Sequence, residues 1–410
     1  MHILFLTDNF PPESNAPASR TFEHCREWVR AGHQVTVITC APNFPKGKVF
    51  NGYRNRLWQQ GEMEGIKVIR VWSYITANEG FVKRILDYLS FMLSAVLAAP
   101  FVYGVDLVVG TSPQFFTACA AYIVSRLKRI PFVFELRDMW PESIKAVGAM
   151  KADSMIYSCL EYIEFFLYRK AGRIVTVTHA FKDALIARGI DRAKIDVVTN
   201  DVDLRHFSPQ AKDQELVHKL SLNGMFVAGY IGTHGMAHAL ETLLEAALIL
   251  QQTPGAENVR LVFLGDGARK SYIVAKSANM GLDNVLFLES VTKDQVVRYW
   301  SVLDVSIIHL RKTELFTTVI PSKLFECMGM GIPVLHGVAG ESADIVLREE
   351  VGEVFEPENA HQLASGLLHL RDNPTKYVSF QKNGLLAAQL YDRKNLALQM
   401  LQVFKKLLGK

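Results

Sequence analysis

The sequence predicts an α/β protein of two doubly wound domains, and three observations predict it. Short apolar runs alternate with helix-like segments through most of the chain, the pattern of parallel sheets covered by helices on both faces. A turn-rich stretch, Thr199 to Pro209, splits these runs into two series. At 410 residues the chain is also longer than one core normally spans.

The first series comprises Ile3 to Thr7, Val35 to Thr39, Lys67 to Val71, Leu107 to Gly110, Phe132 to Leu136, Ile174 to Val177 and Ile195 to Val198. It predicts a Rossmann-like domain over residues 1–200. The second, Phe226 to Ile231, Arg260 to Leu264, Val285 to Phe287, Val305 to Ile308, Val334 to Leu335 and Gly352 to Phe355, predicts another over 201–392. In the remaining stretch, 393–410, Leu396, Met400, Val403, Phe404 and Leu407 recur at helical spacing, which predicts a C-terminal helix packing back on the first domain.

Composition excludes several classes. An apolar fraction of 49% with 21% charged residues is that of a folded globular protein. Residues 1–190 hold 22 Lys and Arg against 16 Asp and Glu, while the whole chain is only +4. The basic half favours an anionic partner such as a phospholipid surface or a pyrophosphate, and no cluster is dense enough for nucleic acid. Cys25, Cys40, Cys119, Cys159 and Cys327 are scattered, with no Cys-x-x-Cys pair or zinc spacing, and read as free thiols of a reducing cytoplasm. Met1 to Leu6 runs directly into a strand without a signal-peptide pattern, so the expected location is the cytoplasm.

Ligands of open parallel sheets bind beyond the carboxyl ends of the strands. After the first strand, Thr7 to Arg20 is longer than an ordinary strand-to-helix connection. Its Glu13 and Arg20, the latter expected in the first helical turn, are candidate acceptor-binding groups. Arg137-Asp138-Met139-Trp140-Pro141-Glu142-Ser143 follows the strand Phe132 to Leu136 and places two charges and an aromatic beyond a buried strand. Arg137 and Asp138 are candidate catalytic residues, whereas Glu135 reads equally well as a satisfied structural carboxylate.

In the second domain, Gly232, Thr233, His234, Gly235 and His238 lie between a strand and the helix expected over Leu240 to Leu250. Small residues there let a backbone approach phosphate, and a helix N-terminus favours negative charge. Phe263-Leu264-Gly265-Asp266-Gly267 repeats the theme, with a plain turn equally plausible. Pro321-Ser322-Lys323-Leu324-Phe325-Glu326 is the strongest segment. Backbone N–H groups of Ser322 to Leu324 and the Lys323 ammonium suit a diphosphate, and Glu326 suits ribose hydroxyls. The competing reading is an internal Lys323–Glu326 ion pair on a solvated helix.

Together these segments, with Phe10-Pro11-Pro12-Glu13, Ala31-Gly32-His33 and Thr199-Asn200-Asp201-Val202-Asp203, resemble family 4 of the glycosyltransferases across nearly the whole chain. The resemblance implies the GT-B fold, two Rossmann-like domains facing across a cleft, and a retaining hexosyltransferase. Within the family, the Pro-Pro-Glu opening, the Arg-Asp-x-Trp-Pro-Glu-Ser loop and the Pro-Ser-Lys helix are similar to bacterial O-antigen, lipopolysaccharide and capsule enzymes. Those move N-acetylated amino-deoxyhexoses such as N-acetyl-L-fucosamine (L-FucNAc). This implies a UDP-sugar donor and an undecaprenyl-diphosphate-linked saccharide acceptor, with no further cofactor. Two departures stand out: the first of the family's paired glutamates falls on Thr318, and its usual phosphate-binding Arg and Lys fall near Thr233 and His238. Phosphate binding is then expected from Lys323, backbone N–H groups, and His234 or His238.

No Asp-x-Asp motif of the metal-dependent kind is recognised, so metal-independent transfer is expected, with fixed cations and dipoles stabilising the leaving phosphate. Asp138 then orients hydroxyls and is not a nucleophile. The apolar run Phe91 to Tyr103 is too short to span a bilayer and contains Pro100. Beside Lys83 and Arg84 it suits the inner face of the plasma membrane peripherally, with a core helix as the alternative. Two other functions compete: a UDP-sugar epimerase of the same fold, which would turn over donor without acceptor, and a non-catalytic nucleotide-sugar-binding or interaction protein. A dinucleotide-dependent dehydrogenase is disfavoured because Asp8 to Ser14 lacks Gly-x-Gly-x-x-Gly.

Overall fold

The computed structural model describes residues 1–13, 15–44, 46–76, 81–139 and 154–409. The chain forms two compact units, Met1–Thr199 with Arg393–Lys410, and Asn200–Asp392.

The first unit is built on β1 (His2–Leu6), β2 (Gln34–Cys40), β3 (Trp58–Met63), β4 (Ile66–Val71), β5 (Leu107–Thr111), β6 (Phe132–Leu136), β7 (Arg173–Thr176) and β8 (Ile195–Val197). Their order is β3-β4-β2-β1-β5-β6-β7-β8. All neighbours are parallel except β3 and β4. Sequence patterning overlooks β3 because this edge strand is largely exposed and polar, so it carries no apolar run. A two-residue turn at Glu64 and Gly65, both at positive φ, closes the hairpin.

Helices α1 (Ala16–Arg30), α2 (Phe81–Ala98), α3 (Phe115–Lys128), α4 (Met155–Lys170) and α5 (His179–Ala187) complete the unit with the C-terminal helix Arg393–Leu407. Strand side chains alternate between faces. Ile3 and Phe5 of β1 pack with Trp28, Met400 and Phe404, under α1 and the C-terminal helix. Leu4 and Leu6 pack with Phe91, Phe115 and Leu167, under α2, α3 and α4. The C-terminal helix is fastened by the Trp28 indole, which donates to Ala397 O at 2.8 Å, by the edge contact of Trp28 with Phe404 at 5.3 Å, and by an Arg393–Glu23 ion pair.

The second unit is a parallel sheet of β9 (Phe226–Ile231), β10 (Val259–Leu264), β11 (Val285–Leu288), β12 (Val305–His309), β13 (Val334–Gly337) and β14 (Gly352–Val354), in the order β11-β10-β9-β12-β13-β14. It carries α6 (Gln214–Lys219), α7 (Glu241–Gln251), α8 (Lys270–Asn279), α9 (Lys293–Ser301), α10 (Lys323–Met330), α11 (Glu341–Arg348), α12 (Ala360–Asp372) and α13 (Pro374–Ala388). Strand order reverses between β1 and β5 in one sheet and between β9 and β12 in the other. Crevices open at such reversals, because the connections on either side leave in opposite directions.

Phe404 is fully buried against Trp28. Phe404→Ala should therefore destabilise the first unit by about 3–5 kcal/mol in chemical denaturation; a loss below about 1 kcal/mol would show that the C-terminal helix is not part of its core.

Candidate functional site

The second unit's site grows from the loop after β9. Gly232 adopts φ 147°, and a Cβ there would lie 2.5 Å from Lys323 Nζ. A Cβ on Gly265, after β10, would lie 1.9 Å from Gly232 O. Only residues without side chains allow these two strand ends to approach each other and the lysine so closely. The loops are joined by Gly232 N–H to Leu264 O, His234 N–H to Asp266 O and Arg269 N–H to His234 O, all 2.9 Å.

Lys323 is the first residue of α10, in the crossover that follows β12. Its ammonium lies 4.2 Å from the centroid of the Tyr230 ring, whose hydroxyl donates to Thr233 O at 2.8 Å. Among the described residues Lys323 has no hydrogen-bond acceptor and no ion-pair partner, so the Lys323–Glu326 pair does not form. Burial holds this ammonium down at about 8, although Glu326 pulls the other way. The N–H groups of Ser322 and Lys323 are also unclaimed among the described residues, but that of Leu324 turns to Pro321 O at 3.1 Å. The expected set of three free N–H donors is thus two. Glu326, one turn along, is half-buried; burial raises its carboxyl above the ordinary range against the pull of Lys293 and Lys323. The buried Trp300 indole N–H is directed at this carboxyl and also works to lower it.

Two other expectations change. The glycine loop does not run straight into a helix: a 3-10 turn, Met236–His238, begins after Gly235, Ala239 follows at φ 41°, and α7 starts only at Glu241. His234 and His238 are not cations at neutral pH. Burial, with Lys270 and Lys323 adding, pushes His234 down to about 4; burial and Lys323 push His238 to about 3. Each neutral ring can donate one N–H; among the described residues neither His234 nitrogen has a partner, and the His238 ring is turned to the Gly235 backbone.

In the first unit a cavity of about 290 Å³ lies among the loops after β1, β2 and β5, closed on one side by α2. Asp8, Glu13, Asp87, Arg84 and Gln114 line it. Glu13 Oε1 accepts the N–H groups of Asn43 and Phe44 at 2.7 and 2.9 Å, and burial raises the carboxyl to about 6.

Arg20 does not join this cavity. The helix begins at Ala16, so Arg20 falls in its second turn, with its side chain buried. Its guanidinium binds Glu135 Oε1 at 3.1 Å, Thr199 O at 2.8 Å and Val198 O at 3.0 Å. It ties α1 to the ends of β6 and β8 and is a structural residue, not an acceptor ligand. Burial works to raise Glu135, but Arg20, Arg137 and His24 outweigh it and hold the carboxyl low.

Arg137 and Asp138 stand half-buried at the end of β6, where Ser112 Oγ accepts both backbone N–H groups at 2.7 and 3.0 Å. They are not among the residues lining the cavity. Trp140 to Ser143, and Ser14, lie outside the described residues. Asp201 and Asp203 spell an Asp-x-Asp, but both are buried and Arg205 chelates Asp203 at 2.9 and 3.1 Å. Sequence reasoning missed Tyr230, Asp87 and Gln114. The short polar stretch Ser112-Pro113-Gln114 beyond a buried strand was the available signal for the last; Asp87 sits within an apolar helix with nothing local to mark it.

A family model described as "Glycosyl transferase 4-like domain" matches residues 15–201, and one described as "Glycosyl transferases group 1" matches 225–373. The chain is similar to the Escherichia coli (strain K12) glycosyl transferase WcaI, named for colanic acid biosynthesis, with 24% identity over 81% of this chain and 82% of that one. It is also similar to a GDP-mannose-dependent alpha-mannosyltransferase of Mycobacterium tuberculosis, 23% identical over 94% and 92% of the two chains. Among solved structures, sucrose-phosphate synthase of Thermosynechococcus elongatus superposes with a TM-score of 0.77 at 16% identity over 100% and 99% of the chains. Anabaena Alr3699/HepE in complex with UDP gives 0.71 at 17% identity over 99% and 100%.

Removing Arg20 would leave Glu135 buried without its closest cation. Arg20→Ala should cost about 3–5 kcal/mol in denaturation; a variant of unchanged stability would return Arg20 to the list of ligand-binding candidates.

Proposed function

The chain belongs to family 4 of the glycosyltransferases and has the GT-B fold, and on that premise we propose that it moves a sugar from a UDP-sugar, with retention, onto a lipid-diphosphate-linked saccharide in O-antigen or capsule synthesis. An N-acetylated amino-deoxyhexose such as L-FucNAc is the proposed sugar. The observation that carries the donor reading is the Lys323 ammonium seated on the Gly232 backbone without an anionic partner among the described residues.

Departure of UDP places negative charge on the β-phosphate. Lys323 and the unclaimed N–H groups of Ser322 and Lys323 are fixed before the reaction, so they stabilise that charge without reorganising. Neutral His234 and His238 add N–H donors, and Glu326 takes the ribose hydroxyls. No divalent cation is required in this scheme. The acceptor hydroxyl attacks from the face the phosphate leaves, through an oxocarbenium-like state, and its proton passes to the departing phosphate. Asp138 orients hydroxyls. The colanic acid designation of the Escherichia coli relative supports a polysaccharide role, and the UDP complex of the Anabaena protein supports the nucleotide.

A membrane-facing surface supports the lipid-linked acceptor. The segment Lys83–Phe101 is long and apolar enough to cross a bilayer by length and composition, contrary to the estimate from the run Phe91 to Tyr103. Yet Phe91, Ala95 and Ala98 are packed in the first unit's core. Its other face exposes Leu86, Leu93 and Leu97, continued by Phe101 and Tyr103 and by Ile123 and Leu127 of α3. Exposed Lys83, Arg84, Arg126 and Arg129 flank them. An apolar surface with a basic margin is complementary to an anionic lipid surface, and we place the enzyme peripherally on the cytoplasmic leaflet.

Calorimetry with UDP, GDP and a UDP-N-acetylhexosamine tests the donor site. Wild type should bind the uridine ligands selectively, and Glu326→Ala should lose them. Lys323→Ala should weaken UDP about 10- to 150-fold, the range for a charge-assisted hydrogen bond of about 1.5–3 kcal/mol. Because the ammonium is held at about 8, wild-type affinity should be full below that pH and fall about tenfold per unit above it, a slope absent from Lys323→Ala. Preferential GDP binding would replace the UDP donor, and binding indifferent to Lys323 would remove the phosphate site. In co-sedimentation with vesicles containing anionic lipid, Leu93→Glu with Leu97→Glu should abolish binding, and each of Arg126→Ala and Arg129→Ala should weaken it about fivefold, near 1 kcal/mol per basic residue. Unchanged sedimentation of these variants would reject the membrane face.

A further inference from the structure

We infer that the cavity of the first unit reads one neutral sugar ring of the acceptor, with Gln114 and Glu13 as its specificity-determining pair and with Asp87 excluding acidic sugars. The inference rests on the transferase reading for the existence of a saccharide acceptor, and on observations confined to this unit.

Glu13 and Gln114 line the cavity at 4% and 2% exposure, and each keeps one polar atom without a partner among the described residues, Glu13 Oε2 and Gln114 Nε2. Both orientations are fixed. Two backbone N–H groups occupy Glu13 Oε1, and the Thr117 hydroxyl donates to Gln114 Oε1, leaving the amide NH2 toward the cavity. The pair therefore presents one unclaimed acceptor and one unclaimed donor. Buried polar atoms are rarely left so, and they discriminate strongly once a ligand supplies their partners. A hydroxyl both donates and accepts, so a hydroxylated ring satisfies the two together; an apolar group satisfies neither.

The volume, about 290 Å³, lies at the lower end of ligand cavities, about 300–1,000 Å³, the scale of one ring and not of an extended chain. Charge narrows the class further. Among the lining residues Asp8, Glu13 and Asp87 outnumber the cation Arg84, while Arg137 and Arg70 act on Asp8 and Glu13 from outside the lining and leave Asp87 to Arg84 alone. Burial raises Glu13 to about 6 and Asp87 to about 7, and raises Asp8. Glu13 and Asp87 are both ionised at pH 8, where a uronate or phosphate ring meets like charge in a partly desolvated space.

The test uses the full chain at pH 8 and saturation-transfer NMR with phenyl β-D-glucopyranoside, phenyl N-acetyl-β-D-glucosaminide and phenyl β-D-glucuronide. UDP affinity and thermal midpoint are measured on the same samples. The neutral glycosides should bind and the glucuronide should be at least about tenfold weaker. Gln114→Leu should weaken the neutral glycosides about tenfold, and Asp87→Asn should admit the glucuronide, both with UDP affinity unchanged. Equal binding of glucuronide and glucoside, absence of binding by either neutral glycoside, or a folded Gln114→Leu with undiminished glycoside affinity would each overturn the inference. Should Gln114→Leu fail to fold, the gain of glucuronide binding in Asp87→Asn decides. Loss of the donor reading appears separately: glycosides bind as stated while no nucleotide does.

Discussion

Parallel strands cannot be joined by tight turns, and the rest of this structure depends on that constraint. Every connection within the parallel part of each sheet must cross over through a separate segment. The loops leaving the strands therefore gather on one edge, and where strand order reverses they part and open a crevice. The cavity of the first unit sits at β1, β2 and β5, and the lysine of the second sits at β9 beside the crossover from β12. Neither place was selected by a motif; topology leaves few others in which side chains from distant segments can meet.

What those places contain follows from the cost of burying charge. An ammonium withdrawn from water is unstable unless something compensates it. Among the described residues Lys323 receives the face of Tyr230 and the more distant fields of Glu326 and Cys327, which do not offset its burial, and its protonation is depressed. The same deficit makes it receptive to an anion. Arg20 is the contrasting case. A carboxylate and two carbonyl groups occupy its guanidinium, so it has little left to offer a ligand. Both cations lie at strand ends in loop-rich regions, and their partners separate them: one is claimed, and the other, among the described residues, is not.

That contrast explains how much could be read in advance. The two sheets were legible because parallel strands buried on both faces read as uninterrupted apolar runs, and the glycine pairs at Gly232 and Gly265 marked the close approach. Strand β3 was not legible, since an exposed edge strand has no hydrophobic period to detect. Glu13, Lys323 and Glu326 could be selected by their neighbours in sequence. Arg20 was misassigned because its partners, Glu135 and the carbonyls of Val198 and Thr199, are more than one hundred residues away. Asp87 and Gln114 escaped for the same reason: their neighbourhood is assembled by the fold and has no local spelling. The histidines show a further limit, since a sequence gives the identity of a titratable group but not the desolvation that sets its charge.

The two units also differ in the sign of what they expose to a ligand. The second offers a cation, unclaimed N–H groups and neutral imidazoles, and the first offers carboxylates with an amide. A nucleoside diphosphate carries its charge on phosphate, so the carboxylate-lined cavity repels it while the lysine site attracts it. A neutral sugar feels little of either field and is sorted by hydrogen bonding, where Glu13 and Gln114 have unclaimed atoms and Lys323 has a competing anion to hold. Charge thus sorts a phosphate group from an uncharged ring before any fine recognition of hydroxyl stereochemistry begins. It also gives the replacement of the usual phosphate-binding cations by Thr233 and His238 a physical meaning. With those imidazoles neutral, the Lys323 ammonium against the Gly232 backbone carries a charge that the two replaced positions do not share.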